Sequence, residues 1–222
     1  LSELNTMLYG FTAGLSLITF PLLTGIIVTA PELIPILLGD QWLAVIFPVQ
    51  ALALVGLLRT ISPLLTQALT SVGKATITAK YTTICSIFVP LAVLIGVTWQ
   101  GIDGVAIALA IAYSALTILL LLFCRKHIAL SIKQYFLTLI TPLSASVAMV
   151  IGVFMTNQLF SNYLDLVLLF IVEVLVGVFI YCWWLIYIRK DGLLQLRSVL
   201  EDLGIGRSKL SGWPFSRIEA ER

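Results

Sequence analysis

Residues 43–71 read LAVIFPVQALALVGLLRTISPLLTQALTS. A single charge, Arg59, sits near the middle of a long apolar run. Wound as an α-helix, the stretch is roughly 43 Å long, against about 30 Å for the hydrocarbon core of a bilayer. Such a helix has to tilt, kink or project. Pro63 gives a kink a cause, because it removes one backbone donor. The run also carries Gln50, Ser62, Thr66, Gln67 and Thr70. Arg59, Ser62, Thr66 and Thr70 follow the spacing i, i+3, i+7, i+11, which is one face of a helix. A membrane span with one polar side is the expectation.

The rest of the chain has the same character. Of 222 residues, 60% are hydrophobic and 11% charged, where a soluble domain carries roughly a quarter charged residues. Six apolar runs stand out, at about 7–30, 43–71, 81–99, 105–123, 135–155 and 164–188. Each is long enough to cross a bilayer as a helix, and helices satisfy their own backbone in lipid. A transmembrane barrel would instead show short alternating strands. The predicted fold is all-α: a polytopic transmembrane bundle of six spans over residues 1–188.

Charge alternates along the connections. Residues 31–42 hold Glu32 and Asp40 without Lys or Arg, and residues 100–104 hold Asp103 only. Residues 72–80 hold Lys74 and Lys80, and residues 124–134 hold Arg125, Lys126 and Lys133. Residues 189–222 are rich in Arg and Lys. Every basic connection falls on one side, which the positive-inside rule makes cytoplasmic. Both ends of the stretch are then cytoplasmic. PELIPILLGDQW (31–42) is too short to span and is expected as an interfacial half-helix with Trp42 at the headgroups. In the tail, Leu193, Leu196, Leu200 and Leu203 recur at helical spacing, predicting an amphipathic helix over about 193–203 on the inner membrane face.

The chain begins at Leu1 with no basic segment before its first apolar run; we expect it to be a piece of a longer protein that carries no signal peptide here. The spread of basic residues over membrane-edge loops argues against nucleic-acid binding. Cys85, Cys124 and Cys182 fit no metal or redox spacing and read as buried, inert thiols. The one histidine, His127, lies in a basic loop. No catalytic triad, metal site or nucleotide loop is present, and no cofactor is expected.

Order and spacing of three motifs carry a family resemblance. They are Leu-Leu-Gly-x-x-Trp (Leu37 to Trp42), the small-Gly-Lys turn at Gly73-Lys74, and Gly101-x-x-Gly104-Val-Ala. Together they make residues 7 to about 125 resemble the C-terminal part of polysaccharide and O-antigen flippases, lipopolysaccharide biosynthesis proteins of the multidrug/oligosaccharidyl-lipid/polysaccharide exporter superfamily. The resemblance implies a two-lobe transporter with a central cavity and alternating access, of which this chain forms roughly one lobe and lacks the N-terminal one. It implies a bacterial inner-membrane location, and undecaprenyl-pyrophosphate-linked oligosaccharide as the substrate. Two other readings stay open: a drug or metabolite antiporter of the same superfamily, and a membrane-embedded sugar-polymer enzyme. Short outside loops with few charges argue against the enzyme.

A mid-membrane charge costs about 3 kcal/mol on insertion scales, so Arg59 needs a role. In one reading it faces a water-filled cavity and attracts an anion, since guanidinium matches phosphate in a bidentate way; Ser62, Thr66 and Gln67 then belong to the same substrate pathway. In a second it pairs with Glu173, the acidic residue inside the last predicted span, Asp165 lying at that span's membrane edge. In a third it snorkels to an interface. Glu173 is also a candidate coupling site for a proton or cation. Gly152, Gly177 and the alanines from Ala106 to Ala115 read as close helix packing.

Overall fold

A computed structural model describes residues 2–187. The tail, with its predicted amphipathic helix at 193–203, lies outside the described residues. Five helices follow one another: α1 (Ser2–Leu38), α2 (Ile46–Ser71), α3 (Ala75–Ile128), α4 (Ile132–Phe160) and α5 (Leu166–Tyr187), with a 3-10 helix at Asp40–Val45 before α2. No strand occurs among the described residues.

The 54-residue α3 is two helices in series. Gln100 and Gly101 leave helical geometry, Gly101 with φ 61 and ψ −130, a conformation open to glycine alone. The chain doubles back there. A Cβ on Gly96 would lie 2.6 Å from the Val105 Cα, although an unbroken helix would hold those residues more than ten ångströms apart. Residues 75–99 and 102–128 are thus the arms of a tight hairpin, and the five helices supply six apolar spans, as expected. The hairpin explains one motif physically: Gly101 makes the bend, and Gly104 lets the arms touch.

The first span differs from expectation. PELIPILL is the last part of α1, which runs unbroken to Leu38 with Pro21, Pro31 and Pro35 inside it. Only Asp40–Val45 forms a separate short helix, with Trp42 exposed. Glu32 is therefore a helix residue, not a loop residue. Proline stops a helix in water because it orphans a carbonyl four residues back. Here neighbours cap two of the three carbonyls: the Gln50 amide donates to the Ile27 carbonyl at 2.7 Å, opposite Pro31, and the Tyr181 hydroxyl donates to the Leu17 carbonyl at 2.8 Å, opposite Pro21. Membrane helices tolerate proline by this device.

α1 is the hub, packed against α2, α4 and α5, while α2 packs on α3. One buried cluster joins α1, α2 and both arms of α3 through Phe20, Leu65, Leu69, Tyr81, Leu120 and Cys124. A second joins α1, α4 and α5 through Leu17, Ala145, Met149, Val153 and Tyr181. The α4–α5 contact is as close as its glycines suggest: a Cβ on Gly177 would meet Val153 at 3.1 Å, and one on Gly152 would collide with Ile180. Large apolar side chains face outward on every helix, among them Ile118, Leu122, Leu175 and Phe179. That coat suits lipid and would aggregate in water.

The joints are compact. Gly73 (φ 74) closes α2 with paired bonds, Gly73 N–H to the Thr70 carbonyl and Lys74 N–H to the Leu69 carbonyl, the glycine-stopped helix end of the Schellman type. That is the structural content of the Gly73-Lys74 motif. α3 ends at Ala129 in the left-handed region (φ 52), and the Ser131 side chain caps α4 by accepting from the Gln134 N–H. His127 lies in the last turn of α3, not in a loop, its Nδ1 2.9 Å from the Phe123 carbonyl. Of the three thiols only Cys124 is buried; Cys85 is half-buried and Cys182 exposed.

Candidate functional site

Arg59 sits near the middle of α2 and is exposed. Its guanidinium carbon lies 4.9 Å from the centre of the Tyr113 ring, on the second arm of α3. A guanidinium over an aromatic face is attracted by the ring quadrupole, which holds it without neutralising it. Arg59 makes no ion pair among the described residues. α2 continues through Pro63 as one helix, and proline's missing N–H is the one that would have met the Arg59 carbonyl.

The other predicted pathway residues line up below it against the first arm of α3. Ser62 lies beside the Tyr81 hydroxyl. The Thr66 hydroxyl donates to its own helix, to the Ser62 carbonyl at 3.1 Å and the Pro63 carbonyl at 2.9 Å. The Thr70 and Thr78 hydroxyls are 3.2 Å apart. Gln67 is exposed. The polar side of α2 thus meets α3 and the outside of this bundle.

Glu173 lies elsewhere. It is 1% exposed, on the α5 face that packs on α1 and α4. Its Oε1 accepts from the Asn157 amide at 2.8 Å, and the same nitrogen donates to Glu32 Oε1 at 2.7 Å. The second oxygens of both carboxyl groups are buried and have no hydrogen-bond partner. The structure therefore does not form the Arg59–Glu173 pair: α5 turns Glu173 toward α1 and α4, while α2 turns Arg59 toward α3. Sequence reading missed Glu32 and Asn157. Read as part of an interfacial half-helix at 31–42, Glu32 falls outside the predicted spans, and Asn157 carries no local signal beyond being an amide at the end of an apolar span.

A groove of about 410 Å³ runs between α1 and α5, with α4 at its floor. Pro21, Ile26, Met149, Phe170 and Val178 line it, and Thr29, Glu173, Tyr181 and Cys182 are among its lining residues. None of Arg59, Ser62, Thr66 and Gln67 borders it.

The helices, their apolar coat and their packing define a multi-pass helical membrane protein. Comparison with known proteins narrows the class. Residues 1–48 match a family model described as polysaccharide biosynthesis protein. The chain is also 27% identical over 164 residues to the lipopolysaccharide biosynthesis protein WzxC of Escherichia coli (strain K12), a match covering 71% of this chain and 33% of that relative. The chain thus spans about a third of the length of the curated relative it matches. No solved structure matches. The resemblance carried by the three motifs agrees with both matches: this is a membrane protein similar to those of polysaccharide biosynthesis.

Proposed function

We propose that the chain is one lobe of a transporter that moves a lipid-linked oligosaccharide across the bacterial inner membrane by alternating access, its missing partner being an N-terminal lobe of the same protein. The basic joints at Lys74, Arg125 and Lys126 face the cytoplasm in this reading, and membrane lipid surrounds the outer coat. The function is translocation, not catalysis.

One observation carries the reading. Arg59 stands in mid-span with no carboxylate paired to it among the described residues, its guanidinium steadied over Tyr113. A charge kept un-neutralised at that depth is costly, and the cost is recovered by an anion that enters from a cavity. Pyrophosphate in an undecaprenyl-pyrophosphate-linked oligosaccharide is an anion of the right geometry for the guanidinium fork. Ser62, Thr66 and Gln67 continue the same side of α2 and are weaker contributors to the path.

In the full-length protein, Arg59→Ala should abolish surface polysaccharide while the amount of protein in the membrane stays unchanged, and Arg59→Lys should retain part of the activity. Undiminished surface polysaccharide in Arg59→Ala would refute the proposal. A second reading, antiport of a cationic small molecule, draws on Glu173, the one carboxyl group bordering the otherwise apolar α1–α5 groove. It predicts that Glu173→Gln abolishes transport and Arg59→Ala spares it.

A further inference from the structure

We propose that Glu32, Asn157 and Glu173 form a binding site for one proton, and that the bound proton clasps the C-terminal part of α1 to α4 and α5. The three residues come from three helices and are far apart in sequence, yet one amide nitrogen joins both carboxyl groups. An asparagine amide has two hydrogens, and here both are spent, one on each glutamate. The two carboxyl groups are consequently close neighbours, each still presenting a buried oxygen without a partner.

Among the described residues no cation neutralises the pair. On α1, the Thr29 hydroxyl is committed to the Gly25 carbonyl; on α4, the Thr156 hydroxyl to the Gly152 carbonyl; on α5, the Tyr181 hydroxyl to the Leu17 carbonyl. No Lys, Arg or His among the described residues pairs with either glutamate. The charged groups nearest in sequence at this end of the bundle are Asp40 and Asp165, both exposed and both negative. Two carboxylates brought together in a dry interior, with one neutral amide between them, repel each other and lose their hydration. One added positive charge removes the conflict.

The amide decides what that charge is. A metal ion between two carboxylates collects oxygen lone pairs. The position between these carboxyl groups is filled instead by the hydrogens of Asn157 Nδ2, which would repel a metal. A proton needs no such space. It arrives on water, leaves it, and forms one O–H bond on a free carboxyl oxygen, and the pair passes from two negative charges to one. Glu173 borders the α1–α5 groove, so the site has an approach from outside the bundle. On loss of the proton the like charges push α1 away from α5. This inference stands on the geometry of the triad and does not rest on the transport reading.

The test uses the purified full-length protein in lipid nanodiscs, followed by infrared difference spectroscopy during a pH titration and by thermal unfolding. Wild type should show a protonated-carboxyl carbonyl band that disappears on raising the pH, with the unfolding temperature falling over the same interval. Glu32→Gln and Glu173→Gln, each a neutral mimic of the protonated partner, should lose that band and that pH-dependent fall. Absence of a titrating carboxyl band in wild type overturns the proposal whether or not the variants fold. So does an unchanged band in both variants. Stabilisation at high pH by sodium but not by potassium or choline overturns the proton in favour of a metal ion. Surface polysaccharide is not the readout, so failure here is separate from failure of the transport reading.

Discussion

At the scale of single residues, two of the three prolines of α1 are matched to distant partners. Pro21 frees the Leu17 carbonyl and Tyr181 fills it; Pro31 frees the Ile27 carbonyl and Gln50 fills it. A backbone carbonyl left empty in an apolar bundle is expensive, while each side-chain bond in a membrane protein returns a modest net amount. Tyr181→Phe and Gln50→Leu should each lower unfolding stability in detergent by about 1 kcal/mol, and the two effects should add, since the sites lie on different neighbours of α1. The prolines are visible in the sequence. Their partners are not, because a bond spanning 164 residues leaves no local trace. The same limit hid Asn157, whose meaning comes from two glutamates on other helices. Arg59 was legible as an anomaly from its charge alone, whereas its seat over Tyr113 required the folded hairpin.

At the scale of elements, α3 shows how a short motif encodes a joint. Gly101 bends the chain, and Gly96 and Gly104 press backbone to backbone. Gly104→Ala would drive a methyl into the Gly96 carbonyl, so the arms must part. The expected loss is about 2 kcal/mol or more, read by thermal unfolding of the purified protein. Gly10→Ala is the control: its Cβ meets nothing within 4 Å, and a helical glycine replaced by alanine in open space is neutral or stabilising. Equal losses from both substitutions would remove the hairpin contact as the cause. The six apolar spans were legible because length and hydropathy are local properties. The extent of α1 was not. The sequence pattern ends the first span near residue 30 and sets 31–42 apart as a half-helix, and only the capping amide of Gln50 shows why the helix goes on past Pro31.

At the scale of the whole molecule, charge segregation predicts an orientation that a fusion experiment can check. In the full-length protein, a reporter placed after Gly101 should read periplasmic and one placed after Lys126 cytoplasmic; reversed signals would invert the bundle and remove the cytoplasmic assignment of the basic joints. The bundle itself divides into two pairs, α2 with α3 and α4 with α5, both leaning on α1. Sequence pattern gave no hint of that division, because every span is apolar nearly all round and none declares which neighbour it prefers.

The capped carbonyls bear on mechanics. Pro21 and Pro31 each open one acceptor at one height on α1, and a donor from a neighbouring helix is keyed into it. A slide of α1 by one turn would carry Gln50 and Tyr181 past their slots, onto carbonyls already occupied within the helix. A small swing about those two heights keeps both keys seated. Whatever motion this bundle undergoes, α1 is built to move in it as an axle and not as a piston.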